Sequence, residues 1–103
     1  MSYPVILTPQ AERQLDELFA RIAADSGAAR ADAYVDRIVA RCMSLATFPA
    51  RGTPRDDLRP GLRIVGFERR VTIAFAMMGG EVVVHGVFYG GQDLEPLASD
   101  PAP

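Results

Sequence analysis

The 103-residue sequence contains no lysine and no tryptophan, and it has only one cysteine and one histidine. Because Cys42 stands alone, a disulfide within the chain is excluded, which fits a reducing compartment. One histidine and one cysteine cannot make a structural zinc site. No apolar run approaches the roughly 20 residues of a transmembrane helix, and the first residues lack the pattern of a signal peptide. We therefore expect a cytoplasmic protein without a cofactor, a metal or a membrane contact.

Most enzyme signatures are missing as well. No glycine-rich phosphate loop is present, because Gly90-Gly91 lacks the required spacing, and no serine lies at a sharp strand-to-helix turn. RNA cleavage needs a base, an acid and a cation on the phosphate. The candidates for that chemistry are Arg63, Glu68, Arg69, Arg70, His85 and Tyr89.

His85 and Tyr89 lie four residues apart in a predicted strand, so simple alternation places them on one face, about 13 Å apart. That separation is too long for joint action on one bond. We interpret His85 as a packed residue and Tyr89 as a strand-end aromatic with its hydroxyl at the rim. The catalytic alternative stays open, with Arg63 or Arg70 on the phosphate and Tyr89 or His85 in proton transfer.

The net charge of −2 is unevenly distributed. Residues 51–70 hold six arginines and three acids, whereas residues 71–103 hold four acids and no basic residue. A basic segment can attract phosphates or an acidic protein surface, and the alternative is a solvated loop with scattered arginines. The predicted target-binding residues are Arg51, Arg55, Arg59, Arg63, Arg69 and Arg70.

Two helices are predicted after a short strand at residues 3–7. Thr8-Pro9 is typical of a helix start, with a capping threonine and a proline at the first position. Apolar residues then recur with a period of 3.6 until Gly27, which we expect to end the helix as a left-handed cap. The second helix runs from about Ala28 to Thr47, and the short connection predicts an antiparallel hairpin.

Residues 49–61 are rich in proline and glycine and predict a long loop. Three strands follow, with a tight turn at Gly79-Gly80 and another turn at Glu68-Arg69. A short helical turn begins at Gly90. The predicted strands are Leu62–Phe67, Val71–Met77 and Val82–Tyr89.

The order β-α-α-β-β-β predicts an α+β fold, in which an antiparallel helix hairpin packs on a mostly antiparallel sheet. A chain of this length supports one core, so we expect a single domain over residues 1–98. Residues 99–103 are expected to be a frayed tail.

Four segments carry a family resemblance when their order and spacing are considered together. They are Thr8–Leu18 after the opening strand, Ala46–Arg55 with the pattern FP…G.PR, the PGLR of Pro60–Arg63, and Gly90–Leu94. Over about residues 3–98 the chain resembles ParE-type toxins of the ParE/RelE toxin superfamily, which include plasmid stabilisation proteins.

This resemblance implies the toxin of a type II toxin–antitoxin system, inactivated by an antitoxin that binds DNA and folds a C-terminal segment onto the toxin. ParE toxins act on DNA gyrase, and RelE relatives cut messenger RNA on the ribosome. Tyr89 stands where histidine is common and Gln92 where arginine is common, which disfavours the RNase. The net charge of −2 also disfavours ribosome binding.

We therefore predict a gyrase-inhibiting toxin that arrests growth by binding and forms a hetero-oligomer with a ParD-like antitoxin, without sequence-specific DNA binding of its own. One alternative is a ribosome-dependent RelE-like mRNA endonuclease using Arg63, Arg70, His85 and Tyr89. Another is an inactive member that binds only its antitoxin. The predicted antitoxin contacts are Phe19, Tyr34, Phe88 and Tyr89.

Overall fold

The computed structural model describes residues 2–91, 94 and 97. Its five strands form one sheet in the order β1-β5-β4-β3-β2, in which β1 is parallel to β5 and the other neighbours are antiparallel. The predicted α+β architecture is confirmed. The elements are β1 (Val5–Leu7), α1 (Pro9–Ser26), α2 (Ala28–Met43), β2 (Thr53–Pro54), β3 (Arg63–Phe67), β4 (Val71–Met78) and β5 (Glu81–Tyr89).

The helix hairpin begins and turns at residues visible in the sequence. Thr8 Oγ1 accepts a hydrogen bond from the Ala11 N–H at 3.1 Å, and Pro9 occupies the first position of α1. Gly27 alone links α1 to α2, so the chain reverses direction at once. Its φ of 95° is positive as predicted, but its ψ of 156° is extended. The predicted left-handed helical cap is therefore wrong in conformation, although the positive φ still favours glycine.

The first strand is shorter than the predicted residues 3–7, and the end of α2 and the segment 49–61 also differ from the prediction. The α-helix ends at Met43 and tightens into a 3₁₀ turn, Ser44–Ala46, before Thr47. The predicted loop at 49–61 contains the two-residue strand β2, which pairs with the start of β3. So short a strand has no periodicity to detect. The predicted helical turn includes Gln92, Asp93 and Glu95, and the predicted tail is residues 99–103. These residues lie outside the part of the chain that the structure describes.

The sheet buries apolar side chains on both faces. On one face, α1 and α2 contribute Leu15, Leu18 and Ile38 to a core that includes Ile73 and Phe75 of β4. A second cluster on the opposite face consists of Leu62, Ala74, Phe88 and Leu97. The two faces therefore have separate environments, and a residue's face decides which groups it can meet.

An inserted residue in β5 changes the face that the following side chains occupy. Ala74 of β4 pairs with Gly86 and Phe75 pairs with Val84, so His85 has no partner on β4 and forms a β-bulge. Val84 before the bulge and Val87 after it both pack in the helix-side core. His85 consequently faces the second cluster, whereas Tyr89 faces the helices. The prediction that His85 and Tyr89 share a face is wrong, because simple alternation does not continue across an inserted residue.

The start of α1 supplies hydrogen bonds to β5 around this bulge. Strand β1 ends at Leu7, which pairs with Val84. Beyond that point, Thr8 Oγ1 donates to the His85 carbonyl at 3.2 Å, and Gln14 Oε1 accepts from the Val87 N–H at 2.7 Å. The helix therefore satisfies backbone groups that a longer β1 would otherwise pair.

Replacing Gln14 tests this support. In Gln14→Met the buried Val87 N–H loses its acceptor, so we expect the free energy of unfolding to fall by about 1–3 kcal/mol. Urea denaturation measures the loss, and Gln10→Met, the same change one turn earlier on α1, is the matched control. An equal loss in both variants would mean that the hydrogen bond contributes nothing specific.

Candidate functional site

The basic segment of residues 51–70 is divided by β3 into two groups. Four arginines precede or open the strand, and Arg69 and Arg70 follow its end at Phe67. The five residues of β3 separate the groups by about 13 Å along the strand. High charge density in the sequence therefore does not give one continuous basic surface.

The first group is occupied by contacts within the chain. Arg55 donates two hydrogen bonds of 2.9 Å to the Asp57 carboxylate, which lowers the pKa of Asp57. Arg51 donates from Nε to the Phe48 carbonyl at 2.8 Å, and Arg63 donates to the Arg51 carbonyl at 3.4 Å. These arginines organise the loop before β3.

Arg59 lies beside His85 on the face of the sheet away from the helices. Arg59 Nη1 is 3.4 Å from His85 Nδ1. A guanidinium can only donate, so in this pair Nδ1 accepts and the neutral ring carries its proton on Nε2. Burial, followed by the charge of Arg59, lowers the pKa of His85. Arg59 Nε and His85 Nε2 are both buried without a partner in the described part of the chain.

Tyr89 lies on the opposite face, in contact with the helix hairpin. Its ring meets Tyr34 edge-on, with centroids 6.5 Å apart. The Arg21 guanidinium lies 5.9 Å from the Tyr89 ring centroid, and Phe67 is 6.1 Å from Tyr34. The rings of Tyr34 and Tyr89 border a cleft of about 430 Å³ between the end of α1, the start of α2 and the β3–β4 turn. We call it the hairpin cleft, and its lining includes Arg30, Tyr34, Arg37, Glu68, Arg70 and Tyr89.

An ion pair closes one side of the hairpin cleft. Arg37 donates from Nε and Nη2 to Glu68 at 3.1 and 3.3 Å, and its guanidinium lies 5.3 Å from the Tyr34 ring centroid. Glu68 occupies a positive φ of 49° in the predicted turn. The Tyr34 hydroxyl is buried without a hydrogen-bond partner among the residues described, and burial is the main cause of its raised pKa.

The four candidate RNase residues are not brought together. Tyr89 and Arg70 line the hairpin cleft, whereas His85 lies on the other face of the sheet. Arg63 opens β3 at the end remote from Arg70. Within the described structure, these residues form no single catalytic group.

The predicted antitoxin contacts also differ in position. Phe19, Tyr34 and Tyr89 are half-buried at the helix hairpin or its cleft. Phe88 is only 3% exposed, in the second apolar cluster. Its side chain therefore offers almost no surface to a partner.

Sequence reasoning missed the contribution of α2 to the cleft. Arg30, Tyr34 and Arg37 are spaced by four and three residues, which places them on one side of a helix. A count of charge by region did not indicate these arginines, because residues 1–50 together carry one more acid than arginine. The spacing was the available signal.

Other reactive or binding groups are limited in the part of the chain that can be described. Cys42 is fully buried, and burial raises the pKa of its thiol to about 11, so it is a poor nucleophile. Residues 2–91, 94 and 97 contain no cluster of three or more potential metal ligands. Within these residues, neither helix is long and apolar enough to cross a membrane.

Comparison with known proteins identifies the family. Residues 5–94 match the model of the "ParE toxin of type II toxin-antitoxin system, parDE". The chain belongs to the ParE toxin family. It is 31% identical over 90 residues to Toxin ParE3 of Caulobacter vibrioides, covering 87% of this chain and 89% of that relative. A solved chain from the chromosomal ParDE TA system of P. aeruginosa has the same fold, with a TM-score of 0.76, 22% identity, and coverage of 86% of this chain and 97% of that one.

Protonation of His85 should destabilise this ParE-family toxin. Its folded pKa lies below the ordinary 6.5, so the unfolded chain binds the proton more readily as pH falls through that value. The contribution of neutral His85 is complete above pH 6.5 and is lost below it. We expect the thermal unfolding midpoint to fall between about pH 7.5 and pH 5.5.

The matched variant is His85→Gln, which keeps an acceptor for Arg59 but does not titrate. It should lose most of the pH slope in this window. Asp57 does not interfere, because its pKa is lowered below 3.8 and it titrates at more acid pH. A slope of the same size in both proteins would contradict the assignment.

Proposed function

We propose that this ParE-family toxin acts in the cytoplasm by binding DNA gyrase and blocking replication, without hydrolytic chemistry of its own. The supporting observation is the bulge in β5, which separates His85 from Tyr89 and Arg70 across the sheet. RNA cleavage needs an acid, a base and a phosphate-binding cation around one bond. Separated residues fit inhibition by binding better than they fit an RNase.

Arg69 and Arg70 are the arginines of the basic segment that we propose for target contact. Both are exposed at the β3–β4 turn, where Arg69 has a positive φ of 65°. In contrast, Arg51, Arg55 and Arg63 are engaged in hydrogen bonds within the chain. An exposed turn can present its charge to an acidic protein surface with little reorganisation.

The partner that neutralises the toxin is proposed to be a ParD-like antitoxin in a hetero-oligomer. The family description refers to parDE, and the structural relative comes from a ParDE system. We propose that an antitoxin segment docks on the helix hairpin as a helix in a groove, contacting Phe19, Tyr34 and Tyr89. Phe88 is left out of this surface because it is buried.

DNA supercoiling by purified gyrase tests the target. The toxin should abolish supercoiling, and the double change Arg69→Ala with Arg70→Ala should raise the inhibitory concentration at least about tenfold, since charged contacts are worth roughly 1.5–3 kcal/mol each. Arg13→Ala, an exposed arginine on α1, is the control. Intact supercoiling together with codon-dependent cleavage of translated messages would overturn the proposal in favour of a RelE-like RNase.

Growth arrest in cells distinguishes the alternatives independently. We expect Arg63→Ala and Tyr89→Phe to retain growth arrest, because neither side chain acts as a catalyst in a toxin that works by binding. Loss of arrest in both variants, with folding and antitoxin binding intact, would support the RNase. A wild-type chain that binds its antitoxin but neither arrests growth nor affects gyrase would instead be an inactive family member.

Calorimetric titration with the antitoxin tests the docking surface. Phe19→Ala removes an aromatic contact on α1 and should weaken the complex at least about tenfold. Arg13→Ala on the same helix should leave the affinity unchanged. Equal affinities for the two variants would exclude Phe19 from the interface.

A further inference from the structure

Part of the positive charge in the hairpin cleft has no ion-pair partner among the described residues. Arg37 is paired with Glu68. In contrast, Arg30 of α2 and Arg70 of the β3–β4 turn make no ion pair among the residues described. Asp25, the other acid of the lining, accepts a hydrogen bond from the neutral Ser26 hydroxyl, so the lining holds three arginines and two acids. Two arginines from different elements thus line one cleft, and an anion bound in the cleft would be attracted by both.

The Tyr34 hydroxyl is a second, independent indication of a ligand. It is a buried phenol without a hydrogen-bond partner among the described residues. The groups whose charges act on it are Tyr89, Glu68, Arg37 and Arg70, and all four line the hairpin cleft. A buried hydroxyl without a partner is unfavourable, so an acceptor oxygen beside it would stabilise the site.

The number of donors and the available volume favour a phosphate over a carboxylate. Arginine forks bind phosphate with paired hydrogen bonds, and a phosphate has oxygens for donors that approach from several directions. A carboxylate has two oxygens in one plane, which match a single fork. The cleft volume of about 430 Å³ leaves room for an organic group beside the phosphate.

We propose that the hairpin cleft binds a phosphate group, supplied either as free phosphate or as a nucleoside monophosphate. Arg30 and Arg70 neutralise its charge. The Tyr34 hydroxyl has almost no accessible surface in the described conformation, so a small turn of its ring toward the cleft lets it donate a hydrogen bond to one of the phosphate oxygens. The rings of Tyr34 and Tyr89 border the space for an attached base. The site shares Arg70 with the proposed target contact and Tyr34 and Tyr89 with the proposed antitoxin surface, so its phosphate binding is measured on the free toxin.

Calorimetric titration of the free toxin with inorganic phosphate, adenosine monophosphate and acetate tests the proposal. At low salt, phosphate or the nucleotide should bind at least about tenfold more tightly than acetate, and added potassium chloride should weaken binding by screening. Arg30→Ala and Arg70→Ala should each weaken phosphate binding at least about tenfold. Arg13→Ala should bind as the unchanged protein does.

Tyr34→Phe provides a readout that a purely structural role would not give. Removal of an unpartnered buried hydroxyl should leave the unfolding midpoint unchanged or raised, while phosphate binding weakens several-fold. Amide chemical shifts in residues 25–37 and 68–70 should respond to phosphate in the unchanged protein. This combination separates a lost ligand contact from a damaged fold.

Three outcomes would overturn the inference: no binding of phosphate or nucleotide at low salt, acetate binding as tightly as phosphate, or equal affinities for the Arg30, Arg70 and Arg13 variants. Adenosine monophosphate that binds at least about tenfold more tightly than phosphate would identify the nucleotide as the source. Equal affinities would identify the phosphate group alone. Because gyrase is absent from these measurements, their result is independent of the supercoiling assay.

Discussion

The bulge at His85 is the constraint on which the arrangement of both sheet faces depends. One inserted residue in β5 leaves His85 on the face of Arg59 and turns Val87 and Tyr89 toward the helices. Val87 therefore packs in the helix-side core, and the Tyr89 ring lies against Tyr34 and Arg21 of the helix hairpin. Without the insertion, Val84 and Val87 could not pack in the same core under simple alternation.

Features set by neighbouring residues could be predicted from the sequence. The Thr8 cap and the Gly79-Gly80 turn depend on local backbone chemistry, and the predicted ends of β3, β4 and β5 lie within one residue of those observed. The bulge was not predicted, although Gly86 inside the strand pattern is a local signal of one. The hydrogen bonds that Thr8 and Gln14 make beside it join residues more than 70 positions apart, and no local pattern indicates them. The pairing of β2 with β3 is similarly non-local.

The candidate sites illustrate the same division between local and spatial information. The sequence drew attention to Arg51–Arg70, where arginine is dense, but much of that charge is satisfied within the loop. Arg30 and Arg70, which make no ion pair within residues 2–91, 94 and 97, are 40 positions apart. They line the same cleft because α2 packs beside the β3–β4 turn. The charge available for binding depends on which arginines are not already engaged by acids or carbonyls of the same chain. Composition alone does not reveal which arginines these are.

The bond from Val87 to Gln14 also bears on how this domain avoids unwanted association. Edge backbone groups of a strand can recruit a strand from another molecule, which leads to domain swapping or aggregation. Beyond the pair of Leu7 and Val84, α1 lies against β5, and the Val87 N–H donates its hydrogen bond to Gln14 Oε1. A strand arriving at this part of β5 would have to displace the helix. Short β1 and β2 therefore provide the outer edges of the sheet, each with few residues available for further pairing.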